Sequence, residues 1–546
     1  MVHLTDALSW ILGAIVVRIV WRNCISVYIS PLRTLRGPPC PSPFYGHVRQ
    51  IFRAGNSHIT VQMVKEHGRN VFCRWLFMVP CLWTTDPQAI RHVLQSGIYT
   101  KPWEFRIPAA RVVGNSVLVA EGLRFDLLEI SNTDIHHINP AFGPAQIREL
   151  VQIFVEKSAQ LRDVWVAEIA AQGGCARVDV VNDLKKMTLD VIGLAGFGYE
   201  LNSLSTTEKP NELARAFHHI FNATPPVSIY RITMDFLPFL DFFPDERTKT
   251  IREAHVVMRR IGTELVRDKK AAVMRELNDQ NGGVEKKDVL GRDLLSLLIK
   301  ANMATNIPEN QRLTDEEVLA QIPTFLVAGH ETTSTAAAWC LYALAQNPRA
   351  QQKLREELLN AQTESPSADE LAALPYLDNV VRESLRLHAP VAFMLRGAEQ
   401  DNVIPTSAPF VDRNGMTQNG IRVGKGNRVI MSILALNHST ELWGDDALEF
   451  RPERWENPPA DISNIPGVWG HMLTFSGGPH ACIGFRFSVA ELKALIFTLV
   501  RALTFEFAAD PEDVTSVGMF TQRPALRSEV KKGAQLPFFI RSYVPA

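Results

Sequence analysis

Neither sign of charge is in excess in this sequence. Its 546 residues carry 57 Lys and Arg against 58 Asp and Glu, a formal net charge of −1, with the basic residues scattered along the chain. Such a balance leaves no electrostatic footprint for nucleic acid, which is excluded as an expected partner. Cysteine is sparse. The seven (Cys24, Cys40, Cys73, Cys81, Cys175, Cys340, Cys482) include no Cys-x-x-Cys pair, so neither a zinc site nor a dithiol redox site is expected, and a reducing compartment fits. There is no Gly-x-Gly-x-x-Gly fingerprint and no P-loop, so no nicotinamide or flavin site is expected on this chain. Internal repeats and low-complexity tracts are also missing.

Long apolar runs are scarce too. Ala7–Val17, ALSWILGAIVV, has about half of the ~20 residues a membrane span needs. Extending it to Ile29 takes in Arg18, Arg22 and Asn23, and each Arg costs roughly 2.5–3.5 kcal/mol at a helix centre but less near the interface. With no positively charged n-region and no A-x-A cleavage signal, a removable signal peptide is not expected. Basic residues (Arg18, Arg22, Arg33, Arg36) follow the run, which places the bulk of the chain on the cytosolic side. The expectation is an N-terminal membrane anchor over 1–30, with a surface-lying amphipathic helix as the alternative. A proline-rich hinge follows over 31–46, where RGPPCPSPFYGH is stiff and extended. The rest, 47–546, has no dividing linker; roughly 500 residues exceed the ~250–300 of one core, so a single domain must enclose something.

What the chain does have is helical periodicity. Gln146–Ala170, Arg247–Asn278, Asp315–Gln346, Pro348–Thr363 and Leu374–Leu387 carry apolar residues at i, i+3 and i+4. Strand-like text is confined to short clusters, Val71–Thr84 and Gly420–Ile433. The fold class is mainly α with small β-sheets. Asp235–Glu246, DFLPFLDFFPDE, reads as a buried loop or as a membrane-facing lip near a substrate entrance.

Four stretches carry chemistry. TFLVAGHETTSTAAAW, Thr324–Trp339, is an apolar helix interrupted by Gly329, His330, Glu331, Thr332 and Thr333. A buried acid there is costly unless paired, so Glu331 with Thr332 suits proton relay, and Gly329 would admit a close approach to the backbone. A zinc peptidase motif fails because Ser334 stands where its second His must be. Glu383 and Arg386 share a helix face at i, i+3, and Arg454 in FRPERW could complete a charge network with them. In TFSGGPHACIGFRF, glycines bracket Cys482 just before an amphipathic helix, whose N-terminus would stabilise a thiolate. Alone, Cys482 reads equally as a buried structural residue or as a ligand; a single thiolate without a second cysteine or histidine suits a haem's axial position rather than zinc.

Together these stretches resemble the cytochrome P450 family, from about Leu35 to the C-terminus, and the wording TFSGGPHACIG is similar to fungal members. The resemblance implies the P450 fold, with one large haem-enclosing domain behind the anchor. It implies haem b as cofactor, held by Cys482 as the axial thiolate, with Phe475, Gly478, His480 and Gly484 around it and Arg396 on a propionate. Thr332 would hydrogen-bond dioxygen and Glu331 would help deliver protons. Glu383, Arg386 and Arg454 would lock the fold behind the haem. By family position, Phe325, Ala328, Ala392, Phe393, Phe520 and Thr521 would face a lipophilic substrate, such as a terpenoid of secondary metabolism. Electrons would come from a separate NADPH–cytochrome P450 reductase, with cytochrome b5 as a further possible donor, at the endoplasmic reticulum membrane. A rival of the same fold is a reductase-independent isomerase or dehydratase.

Two departures stand out. His480 occupies the position of a propionate-binding Arg. Between Gly122 and Asn139, LRFDLLEISNTD carries Asp126, Glu129 and Asp134 where the family's helix supplies basic residues, and Arg124 precedes His136 and His137. Natural divergence, a splice or gene-model origin, and a haem-deficient, non-catalytic product are the accounts of that segment, with haem affinity the property at stake.

Overall fold

The computed structural model describes residues 26–53, 58–114, 116–119, 142–205, 211–222, 246–279, 293–302, 313–518 and 521–544. The helices used below are α1 (Pro87–Gln95), α2 (Pro144–Ala171), α3 (Val180–Phe197), α4 (Glu246–Asp279), α5 (Asp315–Gln346), α6 (Pro348–Asn360), α7 (Pro375–Leu387) and α8 (Phe485–Ala502). The strands are β1 (Asn70–Arg74), β2 (Pro80–Thr84), β3 (Tyr99–Thr100), β4 (Ala176–Asp179), β5 (Phe393–Ala398), β6 (Asn402–Val411), β7 (Thr417–Val423), β8 (Arg428–Ser432), β9 (Leu503–Phe507), β10 (Val514–Val517), β11 (Arg523–Leu526) and β12 (Pro537–Ser542). Contacts divide the chain into two interleaved units: 1–102, 391–447 and 459–481, and 103–390, 448–458 and 482–546.

The first unit is built on a five-stranded sheet in the order β1-β2-β8-β5-β3, in which β2 and β8 are parallel and the other neighbours antiparallel. Its inner strands PCLWT and RVIMS are buried at every position, so they show no alternation, whereas the edge strand β1 alternates. The proline-rich stretch lies along that edge. The Phe72 amide donates to the Arg36 carbonyl (2.8 Å), Leu32 and Leu35 are buried, and a Cβ on Gly37 would lie 1.9 Å from the Phe72 carbonyl oxygen. The stretch is extended only in its middle, between a 3₁₀ helix at Pro31–Thr34 and a turn that begins at Pro43, and it is held to the sheet at these points. Helix α1 starts where Asp86 accepts hydrogen bonds from the Gln88 and Ala89 amides.

The second unit is the helical body. α5 runs over the residues its periodicity predicts, opened by a capping box between Thr314 and Glu317 and closed before Pro348, which begins α6. It is buried almost continuously from Val318 to Leu344 and packs against α3. α3 has polar residues on its first turns (Asn182, Asp183, Lys185, Lys186) and is buried almost continuously from Met187 to Phe197. α8 packs against α2, and the small sheet β4-β12-β9 and the hairpin β10-β11 complete the unit.

Most of the anchor expected over 1–30 lies outside the described residues. Its last part forms the short helix Ser26–Ile29, and among the described residues no helix is long and apolar enough to cross a membrane, so a spanning segment gains no support here. The aromatic stretch 235–245 and the atypical segment 123–134 also lie outside the described residues.

Candidate active site

The middle of α5 breaks an otherwise buried helix. Ala328 is exposed, and Val327, Gly329 and Thr332 are partly so, although the residues on either side are buried. The Thr332 hydroxyl donates to the Ala328 carbonyl one turn back (2.7 Å). Ser334 and Thr335 donate to the Glu331 carbonyl (3.2 and 2.7 Å), so much of the polar run is satisfied by the helix itself. Gly329 admits a close approach to its backbone, and the group that approaches is Ile192 of α3: a Cβ there would lie 2.9 Å from its Cδ1 and Cγ1.

Glu331 is 5% exposed and sits in a cluster that sequence pattern alone does not reveal. Its Oε1 accepts from the Thr521 hydroxyl (3.0 Å) and lies 3.4 Å from Arg523 Nε; Oε2 lies 3.9 Å from Lys185 Nζ and has no hydrogen-bond partner. Burial alone would push this carboxyl up, but the Lys185 and Arg523 charges outweigh it and hold the carboxyl below its ordinary value. Burial lowers Lys185, with Glu331 opposing. His330, lowered by burial, donates through Nδ1 to the Leu326 carbonyl (2.7 Å) as a neutral imidazole. Lys185, Thr521 and Arg523 are thus partners missed in the sequence. The available signal was slight: a lysine inside an apolar helix, and an arginine two residues after a threonine already expected near substrate.

The cysteine loop begins in the first unit. A Cβ on Gly477 would lie 1.7 Å from the Pro466 carbonyl oxygen, and Gly478 takes a φ of 67° beside the Leu94 carbonyl, so both need glycine. Phe475 is buried edge-on to Trp469, with ring centroids 5.7 Å apart. His480 closes a short 3₁₀ turn, and burial together with the charges of Lys101 and Arg396 holds it down to about 4, so the imidazole is neutral at neutral pH. Arg396 is buried on β5. Lys101, just past the end of β3, is a further basic neighbour of His480 that the sequence did not reveal.

In the second unit, Cys482 and Gly484 lead into α8. Cys482 keeps accessible surface, yet protein surrounds the sulfur closely enough that burial pushes the thiol up to about 11, and the Gly484 amide pulls the other way. The expected thiolate at a helix N-terminus is therefore a thiol in the metal-free chain; a bound metal cation would displace that proton. A Cβ on Gly484 would meet the Phe142 ring at 3.7 Å, and Phe142, Phe154 and Phe487 stack edge-on beneath it.

Glu383 on α7 is at the centre of a fully paired network. It accepts from Arg386 Nη2 and Nε (2.8 and 2.9 Å), Arg454 Nε (3.3 Å), the Arg451 amide (3.1 Å) and Trp455 Nε1 (3.0 Å). Glu383, Arg386 and Arg454 are all buried.

The expected substrate-facing residues divide. Phe325 is buried against Phe142, and Ala328 is accessible. Phe393 stands between Trp75 and Trp83 (6.3 and 6.2 Å), and the Ala392 carbonyl accepts from the Ile433 and Leu434 amides. Thr521 is committed to Glu331, and Phe520 lies outside the described residues.

Within each unit the residues fit a haem: in the second, a cysteine that keeps accessible surface just before α8 and an accessible apolar patch with one hydroxyl; in the first, glycines in a closely packed loop and the buried Arg396. Among the described residues no cluster of His, Cys, Asp or Glu suits any other metal site. The family model for cytochrome P450 matches residues 35–527. Cytochrome P450 monooxygenase 205 of Postia placenta is 49% identical, covering 96% of each chain, and monooxygenase 128 of the same fungus is 47% identical, covering 96% of this chain and 95% of its own. A ganoderic acid synthetase of Ganoderma lucidum is 32% identical over 88% of this chain and 89% of its own. This chain belongs to the cytochrome P450 family of monooxygenases.

Proposed function

We propose that this monooxygenase inserts one oxygen atom of dioxygen into a lipophilic small molecule of fungal secondary metabolism, a terpenoid being the class we favour. The observation that carries the reading is the accessible patch of Val327, Ala328 and Thr332 with the buried acid Glu331 behind it. Its apolar wall would bind a hydrophobic scaffold and exclude water. The relative named as a ganoderic acid synthetase supports a secondary-metabolite substrate.

Haem b, which the Cys482 thiolate would hold, would supply the chemistry that activates dioxygen. Arg396 and His480, with Phe475, Gly478 and Gly484 around the sulfur, would hold it. The Thr332 hydroxyl, turned from the Ala328 carbonyl, would donate into the site. Glu331, anionic beside Lys185 and Arg523, would accept protons from solvent and pass them on. Electrons come from a separate membrane-bound NADPH–cytochrome P450 reductase, with cytochrome b5 as an auxiliary donor. The setting we propose is the endoplasmic reticulum membrane, with the catalytic body facing the cytosol.

Glu331 and Thr332 favour this over a reductase-independent isomerase or dehydratase, which has less need of protons delivered to dioxygen. The test is oxygen consumption by the holoenzyme mixed with NADPH and reductase. Consumption that requires both partners is expected; conversion of a lipophilic substrate without either would overturn the reading.

A further inference from the structure

The two carboxyl oxygens of Glu331 differ in what holds them. Oε1 accepts from the Thr521 hydroxyl (3.0 Å) and has Arg523 Nε at 3.4 Å, two groups delivered by the hairpin β10-β11. The carbonyl of Gln522, between them in sequence, accepts from Trp339 Nε1 of α5 (2.7 Å), which pins the hairpin to the helix that carries Glu331. Oε1 is thus anchored. Oε2 has no hydrogen-bond partner and lies 3.9 Å from Lys185 Nζ, beyond hydrogen-bond reach but close enough for charge attraction. That oxygen is open to a proton.

Lys185 comes to Oε2 from α3, and its side chain is 19% exposed, against 10% for Arg523 and 6% for Glu331. Of the three, it is the one that solvent reaches most. The other titratable groups here are His330, neutral and with Nε2 3.9 Å from Oε2, and Asp179 just before α3. The charge of Asp179 also acts on Lys185, while its Oδ1 accepts from the Val181 and Leu536 amides (3.2 and 2.8 Å). The ion pair of Arg386 and Glu383 closes fully, to 2.8 Å. Lys185 stops short of that, so it attracts the carboxylate without covering Oε2.

We propose that Lys185 is a positioning residue for proton delivery, presenting its charge to the unbonded Oε2 from the solvent side while Thr521 and Arg523 fix the carboxylate through Oε1. The proposal rests on the monooxygenase reading, in which Glu331 relays protons as dioxygen is reduced. In each relay an O–H bond forms between Oε2 and a proton taken from water, and the same bond breaks as that proton passes on; the Lys185 ammonium keeps its own. A cation this close favours the carboxylate between relays, so its removal leaves Glu331 protonated over more of the acid range. Lys185 thereby sets how far into acid the relay works.

Lys185→Met tests this, since it keeps the aliphatic stem and removes the charge, and Lys185→Arg restores the charge. In oxygen consumption by the holoenzyme with NADPH and reductase, the rate of Lys185→Met relative to wild type should fall by about two- to tenfold between pH 7 and pH 5, and Lys185→Arg should follow the wild type. A second readout needs no turnover. In denaturant midpoints of the holoenzyme at neutral pH, Lys185→Met should lower the midpoint more in the wild-type background than in Glu331→Gln, where no carboxylate is left to attract. A relative rate that does not change with pH, or equal midpoint losses in the two backgrounds, would overturn the proposal. No reductase-dependent consumption by the wild type would instead refute the monooxygenase reading, whereas the midpoints report on Lys185 and Glu331 alone.

Discussion

Two buried acids of the helical body, Glu383 and Glu331, face comparable costs of burial and meet them differently. Glu383 receives five hydrogen bonds of 2.8–3.3 Å from two arginines, a backbone amide and an indole. Glu331 accepts one such bond, from Thr521, and its two cations stand at 3.4 and 3.9 Å. A fully bonded ion cluster fixes a geometry and cannot change protonation without leaving charges uncompensated. A loosely held carboxylate, with one oxygen unbonded and next to an accessible hydroxyl, can gain and lose a proton. On the proposed function, the difference separates an acid suited to holding the fold from one suited to moving protons, although both lie in the protein interior.

The most severe way to break this comparison is Glu383→Gln. It removes the carboxylate that the buried Arg386 and Arg454 share and should cost about 3–5 kcal/mol, read as a lower denaturant midpoint. Glu331→Gln should do the reverse: a much smaller loss of stability, with turnover reduced by about 100-fold. Equal stability losses in the two variants would erase the distinction. Gly329→Ala should cost about 1–3 kcal/mol through overpacking against Ile192, partly offset by the helix preference of Ala.

The smallest effect is in the pH dependence of stability. Glu331, held below its ordinary value of 4.5, contributes stability that is present above that value and is lost as pH falls through its folded value. Glu331→Gln should therefore flatten the acid limb below about pH 4.5. Glu491, fully buried on α8, is raised by that burial, so its contribution is present below 4.5 and lost as pH rises. Glu491→Gln should gain stability relative to the wild type between pH 4.5 and neutrality, seen in denaturation midpoints across that range.

Much of the helical body was legible because its signals are local. The apolar period, the Thr314 capping box and Pro348 delimit α5 at both ends, and the clustered β-branched residues mark β1, β2, β7 and β8. α3 was not singled out: its polar residues Asn182, Asp183, Lys185 and Lys186 are confined to its first turns, and the stretch from Met187 to Phe197 is buried almost throughout. Within the site, Cys482, Glu331, Thr332 and the Glu383 network stand out as residue types that an apolar context does not require. Lys185 and Arg523 did not, because their meaning comes from closing on Glu331 across 146 and 192 residues of chain. Gly329 was legible as a point of close approach to the backbone, but not that Ile192, 137 residues earlier in the chain, is what approaches.

The central claim is that Cys482 is the axial thiolate of a haem. The most direct test is the difference spectrum of the reduced protein with carbon monoxide, recorded for haem-supplied wild type and Cys482→Ala. The account predicts the strongly red-shifted Soret band of a thiolate-ligated complex in the wild type and its loss in the variant. A folded, haem-supplied wild-type protein without that band, or a variant that keeps it, would contradict the account.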